Sequence, residues 1–273
     1  MSGTVRRWLD GVPLQAEWML DRGLHYGDGL FETMLLQRGR LRFAALHAAR
    51  LADGCRRLRI DCDAAAAIAD AERLLGGGDA MVKLIVTRGV ATERGYAPSG
   101  TETPRRLLLS YPAPPAEPAD SLDTAVTRLT ASLGENPLLA GLKHLNRLEL
   151  VLARAQLQGS GCFEGILCSS SGYLACGTMS NLFIVKDSRL LTPRVDRCGI
   201  AGVMRAVVLR EARAMGLQTQ EADLEPSLLQ QADEAFLTNV RIGVRPITRI
   251  ESRTLAAGAL TLQLRARVAA LEA

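Results

Sequence analysis

Of the 33 basic residues in this 273-residue chain only three are lysine: Lys83, Lys143 and Lys186. The scarcity matters because arginine stays charged, whereas a desolvated lysine amine becomes a neutral nucleophile that can form a Schiff base. Amine chemistry in this chain therefore has three candidate positions. Aromatic residues are also few, at 4%, and the arginines are dispersed, so the formal net charge of +4 does not gather into a nucleic-acid face. The tightest basic cluster, Arg56-Arg57-Leu58-Arg59, reads as a solvated helix face. No apolar run approaches a membrane span and the first residues lack the apolar centre of a secretion signal, which predicts a cytoplasmic protein with no membrane or nucleic-acid partner. The six cysteines, at 55, 62, 162, 168, 176 and 198, form no Cys-x-x-Cys pair and have no histidine at zinc spacing. They are expected to be reduced thiols, and no metal site is predicted.

Lys143 has the most suggestive setting of the three lysines. Leu145, Leu148, Leu152 and Ala155 recur at spacings of three and four, which predicts an amphipathic helix beginning beside it. Lys143 then sits where a loop enters a helix, either as an active amine or as a surface charge that gains nothing from the helix dipole. Lys83 lies in Met81-Val82-Lys83-Leu84-Ile85-Val86 and Lys186 at the end of Leu182-Phe183-Ile184-Val185-Lys186. Both read as strand lysines with their heads in solvent.

The length suits one large or two medium domains. The sharpest composition shift is the proline-rich stretch 112–120, expected to be an extended connector between an N-terminal domain, 1–111, and a C-terminal domain, 121–273. In the first half, an Asp10-Gly11 turn suggests an opening hairpin, helices are expected at 46–58 and 64–75 and strands at 81–87 and 106–111, with a long loop over 88–100. In the second, strands are expected at 122–129, 164–168, 173–175, 181–185, 234–238 and 243–250, with helices running to 215 and over 257–271. Three segments carry ligand-binding cues with a plain structural alternative. The glycine-dense run from Asp21 to Thr33 is a tight turn or a place where backbone approaches a ligand. Arg50, three residues after His47, is an anion ligand or a surface charge. The glycine-flanked helix start at 198–205 offers backbone N–H groups to a phosphate or merely enters a helix.

Taken together, Tyr26-Gly27-Asp28-Gly29-Leu30-Phe31-Glu32-Thr33, His47-Ala48-Ala49-Arg50-Leu51, Gly141-Leu142-Lys143-His144-Leu145-Asn146-Arg147-Leu148-Glu149, and Gly177-Thr178-Met179-Ser180-Asn181-Leu182-Phe183 with Ala201-Gly202-Val203-Met204-Arg205 resemble, in order and spacing, the fold-type-IV pyridoxal-phosphate enzymes. The resemblance spans nearly the whole chain. It implies an α+β fold of two domains, similar to D-amino acid aminotransferase, with pyridoxal 5′-phosphate at the domain interface, and a homodimer acting on a small-molecule substrate. By the same resemblance Lys143 would hold the cofactor through its amine and later move protons. Arg50, the backbone at Val203 and Met204, and the neighbouring Thr238 and Asn239 would hold the phosphate, and Cys176 and Asn181 belong to the cofactor-binding segment. Phe31, Arg94, Tyr96 and Arg241 would meet the substrate, with Arg245 the alternative to Arg241 for a second carboxylate. Within the family, the Lys-His-Leu-Asn-Arg-Leu-Glu run and Phe31 resemble the branch that releases pyruvate from 4-amino-4-deoxychorismate and leaves 4-aminobenzoate, a folate precursor. An aminotransferase for branched-chain or D-amino acids is the alternative, and a non-catalytic cofactor-binding dimer is a third. One position departs from the family pattern. Five residues before Asn181, where these enzymes carry a Glu that pairs with the pyridine nitrogen, stands Cys176, and a neutral thiol is a weak hydrogen-bond partner.

Overall fold

The structure is a computed structural model that describes residues 8–10, 12–13, 16–91, 93–113 and 123–271. β1 (Trp8–Leu9) pairs antiparallel with β2 (Val12–Pro13), the inner part of the expected hairpin; its flanks lie outside the described residues. α1 (Arg22–Tyr26) begins at Asp21, whose side chain accepts from the Gly23 N–H at 2.7 Å, and closes on Gly27 at φ 63°. That left-handed residue turns the chain directly into β3 (Gly29–Gln37).

Alternation along β3 buries Leu30, Glu32, Met34 and Leu36 on one face and leaves Phe31 and Thr33 on the other. β4 (Arg40–Leu41), α2 (Ala44–Leu58), α3 (Ala64–Leu75), β5 (Ala80–Thr87) and β6 (Arg105–Pro112) complete an antiparallel sheet of order β4-β3-β5-β6. Its inward residues Leu30, Met34, Val82, Leu84 and Val86 pack against Leu51 and Cys55 of α2 and Ile68 and Ala71 of α3. α3 has the bounds expected of it, started by Asp63 accepting from Ala66 N–H at 2.9 Å and ended at Gly76. The expected connector overlaps β6 at Pro112, and its residues 114–120 lie outside the described residues.

The second half runs β7 (Ala125–Leu133), α4 (Leu148–Ala155), β8 (Glu164–Ser169), β9 (Leu174–Gly177), β10 (Asn181–Lys186), β11 (Arg189–Pro193), α5 (Val203–Ala214), β12 (Thr219–Ala222), α6 (Pro226–Gln230), β13 (Glu234–Asn239), β14 (Gly243–Pro246), β15 (Arg249–Ile250), β16 (Arg253–Thr254) and α7 (Ala259–Ala270). Two five-stranded sheets result, of order β12-β11-β10-β13-β14 and β16-β15-β7-β8-β9. Leu182, Ile184 and Leu237 of the first pack against Val126, Ile166 and Leu174 of the second. The other face of β10 and β13 carries Phe183 and Phe236, stacked at 4.9 Å, under α5 and α7. The architecture is α+β, as expected.

Three elements differ from their expected form. The strand expected at 243–250 is broken because Ile247 N–H bonds to Ala235 in one sheet while Thr248 N–H bonds to Thr124, beside the other sheet, so the chain crosses between sheets there. β7 lies several residues later than expected. The helix after Lys143 starts at Leu148 rather than Leu145, because Leu145 N–H is held at 3.0 Å by the Gly29 carbonyl, and its Leu148, Val151 and Leu152 face outward. The lysine segment is thus extended, and it joins the two halves. Phe31 N–H donates to the Lys143 carbonyl at 2.9 Å on the β3 side, while Gly141 exchanges bonds of 3.0 Å each with Gly199 and Ala201 on the other.

Candidate active site

Where the lysine segment meets β3, β9, the start of α5 and the β13–β14 turn lies a cavity of about 1230 Å³. Phe31, Arg50, Lys143, Cys176, Asn181, Val203, Met204, Thr238, Asn239 and Arg241, scattered over more than 200 positions of sequence, all line it. Lys143 is half-buried, enclosed by the wall except toward the cavity, with Nζ 4.2 Å from the centre of the Phe31 ring. Burial, then the charge of Arg50, with Arg147 and Lys83 adding and Glu32 opposing, pushes its pKa down to about 7. Near neutral pH a large share of this amine is uncharged and nucleophilic. The half-buried Lys83 has its ammonium 5.2 Å from the same Phe31 ring, because β3–β5 pairing sets it opposite Thr33 on the face that carries Phe31. Among the described residues no carboxylate pairs with it.

The anion-attracting end is the start of α5. Gly202 is its N-cap and no side chain caps it, so the N–H groups of Val203 and Met204 have no partner within the helix. A Cβ at Gly202 would run into Asn181 Oδ1, so a side chain there would displace the loop; Asn181 itself donates to the Ile200 carbonyl at 2.9 Å. Arg50 reaches the same loop, with Nη1 donating to the Ala201 carbonyl at 3.2 Å. Thr238 Oγ1 donates to the Gly243 carbonyl at 2.7 Å, and Asn239 accepts from the N–H groups of Arg241 and Ile242 and donates to the Met179 carbonyl. Both side chains are committed to shaping the turn that presents Arg241.

Cys176 lies buried on β9, its thiol pushed up to about 12 by burial, with Cys198 and Glu164 adding to the shift and Arg147 opposing it, so it is a neutral group at physiological pH. The carboxylate nearby, Glu164, is spent on Thr178 Oγ1, Ser180 Oγ at 3.0 Å, the N–H groups of Gly165 and Met179, and Arg154. Arg147 donates to the carbonyls of His144 and Leu142, and burial pulls its pKa to about 10. His144 also lines the cavity; burial and then Arg147 push its imidazole down to about 4, which leaves it neutral.

Not every expected residue arrives. Arg94 and Tyr96 stand on the largely exposed stretch 93–100 and do not line the cavity: Tyr96 is 85% exposed, its carbonyl accepting from Arg22 at 2.6 Å and its ring tilted on Tyr26 at 5.4 Å. Arg245 points elsewhere, donating to Thr124 Oγ1 at 2.8 Å with its guanidinium 3.9 Å over the Phe163 ring. Conversely, sequence reasoning assigned no role to Glu32, His47, Lys83, His144 or Arg147. For Glu32 the signal was available, an acid at the inward parity of an apolar strand. An uncharged amine at one end, with a guanidinium and a free helix N-terminus nearby, suits an aldehyde cofactor that bears a phosphate. Among the described residues no group of three or more His, Cys, Asp or Glu is placed to hold a metal ion.

The sequence profile of the family "Amino-transferase class IV" matches residues 29–250. The aminodeoxychorismate lyase of Vibrio harveyi is 33% identical over 252 residues, 90% of this chain and 91% of that protein. A putative branched-chain-amino-acid aminotransferase of Methanocaldococcus jannaschii is 32% identical over 242 residues, 87% of this chain and 83% of that protein. Among solved structures, the 4-amino-4-deoxychorismate lyase from Pseudomonas aeruginosa superposes with a TM-score of 0.86 and 42% identity, over 95% of this chain and 97% of that one.

The depressed pKa of Lys143 has a consequence for stability. Between about 7 and the ordinary 10.5 the unfolded chain binds a proton that the folded one does not, so stability rises with pH across that window. Folding with this amine uncharged costs up to about 4 kcal/mol at pH 7, less to the extent that cavity water screens it. Lys143→Met should therefore be more stable than the parent at pH 7 without ligand, with the gap narrowing toward pH 10. Urea unfolding at both pH values measures this; a gap that does not change with pH would show that the amine is not the titrating group.

Proposed function

The chain belongs to the class IV amino-transferase family, and from that premise we propose that it is a carbon–oxygen lyase converting 4-amino-4-deoxychorismate to 4-aminobenzoate and pyruvate, with pyridoxal 5′-phosphate as cofactor. The likeness to the Pseudomonas aeruginosa lyase over almost the whole chain carries this assignment. The likeness to the Methanocaldococcus jannaschii protein favours an aminotransferase as the second possibility.

When bound, pyridoxal phosphate supplies an aldehyde that captures amines and a ring that accepts electrons. Lys143 Nζ, at the cavity wall beside Phe31, would hold that aldehyde. Its amine, whose pKa burial lowers toward neutral, takes the proton from the substrate ring carbon that bears the amino group, and loss of the enolpyruvyl oxygen then makes the ring aromatic. The same lysine returns a proton to the departing pyruvate in this scheme. Arg50 and the N–H groups of Val203 and Met204 hold the phosphate dianion. Arg241 at the rim and Lys83 beside Phe31 meet the two substrate carboxylates, and Phe31 forms the apolar wall between Lys83 and Lys143. Cys176 does not hold a proton on the pyridine nitrogen as a carboxylate does. Elimination tolerates that, because a good leaving group departs at once, whereas transamination must reprotonate the cofactor's own carbon.

The protein acts as a homodimer. The outward Leu148, Val151 and Leu152 form an apolar stripe on α4 beside the cavity that a second copy covers, and Arg94 and Tyr96 reach substrate only from that copy. The chain divides at 112–120, with the cofactor between the 1–111 and 121–273 domains. Among the described residues no helix is long and apolar enough to cross a membrane, in keeping with a cytoplasmic enzyme supplying a folate precursor.

Purified protein given 4-amino-4-deoxychorismate should form 4-aminobenzoate and pyruvate in equal amounts, and Lys143→Ala should lower both by about 10³-fold or more. Cofactor binding with neither product would overturn the lyase and turn attention to amino-acid/keto-acid pairs. Cys176→Glu should raise side transamination relative to elimination; a large fall in that ratio would count against the role given to the thiol. Sedimentation should give a two-chain mass that Leu152→Glu reduces toward one, and a one-chain mass for the parent would refute the dimer.

A further inference from the structure

The parity of β3 that buries Leu30 and Met34 also buries Glu32, which is 1% exposed, and α2 sets His47, 0% exposed, and Arg50 against it from neighbouring positions three apart. His47 Nδ1 donates to Glu32 Oε2 at 2.6 Å; Arg50 Nε donates to Oε1 at 2.8 Å and Nη2 to Oε2. A carboxylate only accepts, which places the imidazole proton on Nδ1. Burial holds His47 below its usual range in spite of that bond, so the ring is neutral, and its Nε2 has no partner among the described residues. Burial alone would raise the Glu32 carboxyl, but the His47 bond and the Arg50 charge outweigh it and keep the group ionised. The cluster is therefore a buried carboxylate–guanidinium pair steadied by a neutral imidazole.

Of the five N–H groups of Arg50, two engage Glu32 as a fork and a third reaches the Ala201 carbonyl just ahead of α5. Two remain, on a side chain that lines the cavity. We propose that Glu32, oriented by His47, is a positioning residue for Arg50. It fixes the guanidinium so that the two remaining N–H groups serve the cofactor phosphate, and it offsets the arginine's charge beside Lys143. This rests on the assignment of Arg50 to the phosphate made above.

Glu32→Gln keeps the shape and loses the fork, because one amide oxygen accepts from one guanidinium nitrogen while the amide NH₂ confronts the other. Dissociation constants for pyridoxal 5′-phosphate and for phosphate-free pyridoxal, read from the absorption band each forms with Lys143, separate positioning from general damage. In Glu32→Gln the phosphate-bearing ligand should weaken about tenfold or more and pyridoxal about twofold or less. The pH at which Lys143 captures pyridoxal should also fall, since the anion opposing Arg50 is gone. Equal weakening of both ligands, or of neither, overturns the proposal. If Glu32→Gln does not fold, His47→Leu should show the same selective loss and His47→Asn, which restores an N–H donor, should recover it; an unselective loss in His47→Leu again overturns it. Arg50→Ala is the control: if it fails to discriminate the two ligands, the phosphate assignment itself is what has failed.

Discussion

A lysine amine has to be kept largely out of water, and uncharged, beside two guanidinium groups. The rest of the structure is arranged to meet that demand on Lys143. Its backbone runs extended rather than helical, bonded to β3 through Phe31 and Gly29 on one side and, through Gly141, to Gly199 and Ala201 on the other. Neither half of the chain alone supplies both edges. The segment therefore closes one side of the cavity and ties β3 to the loop that leads into α5, so the distance between amine and helix start is set by main-chain hydrogen bonds rather than by side-chain packing.

The charges around that segment are sorted by whether a partner has already claimed them. Glu164 is saturated by donors and faces away from chemistry, and Arg245 lies against Thr124 and Phe163. Glu32 is claimed by Arg50 and His47. Toward the cavity stand Arg241, part of Arg50, the first N–H groups of α5 and the neutral thiol of Cys176, with Glu135 and Glu149 also on its lining and Lys83 beside the Phe31 ring. A guanidinium and free helix N–H groups on one wall suit an anion, and the group at Cys176 is neutral where a carboxylate would be charged.

Much of the local structure was legible. α3 was legible over 64–75 from an alanine-rich run that stops at Gly76, because composition and a C-terminal glycine are local causes. The stripe at Leu148, Leu152 and Ala155 was read correctly as helical, but its start and its outward face were not, since Leu145 is claimed by a strand more than a hundred residues earlier. The 243–250 stretch looked like one strand because its composition does not reveal that successive N–H groups pair in different sheets. Arg94 and Tyr96, expected to meet substrate, are exposed and do not line the cavity, a placement that local composition does not reveal.

By itself, the sequence determined the inventory and the kinship: three lysines, a thiol at 176, a glycine-flanked helix start at 202, and ordered motifs spread over almost the whole length. Only the tertiary structure decided which amine is desolvated, that Lys83 lies beside the Phe31 ring, that Arg245 is occupied and that Glu32 stands behind Arg50. The physical reason is that desolvation and charge pairing are sums over neighbours brought together from distant segments, whereas residue type, capping and period are properties of a few consecutive residues.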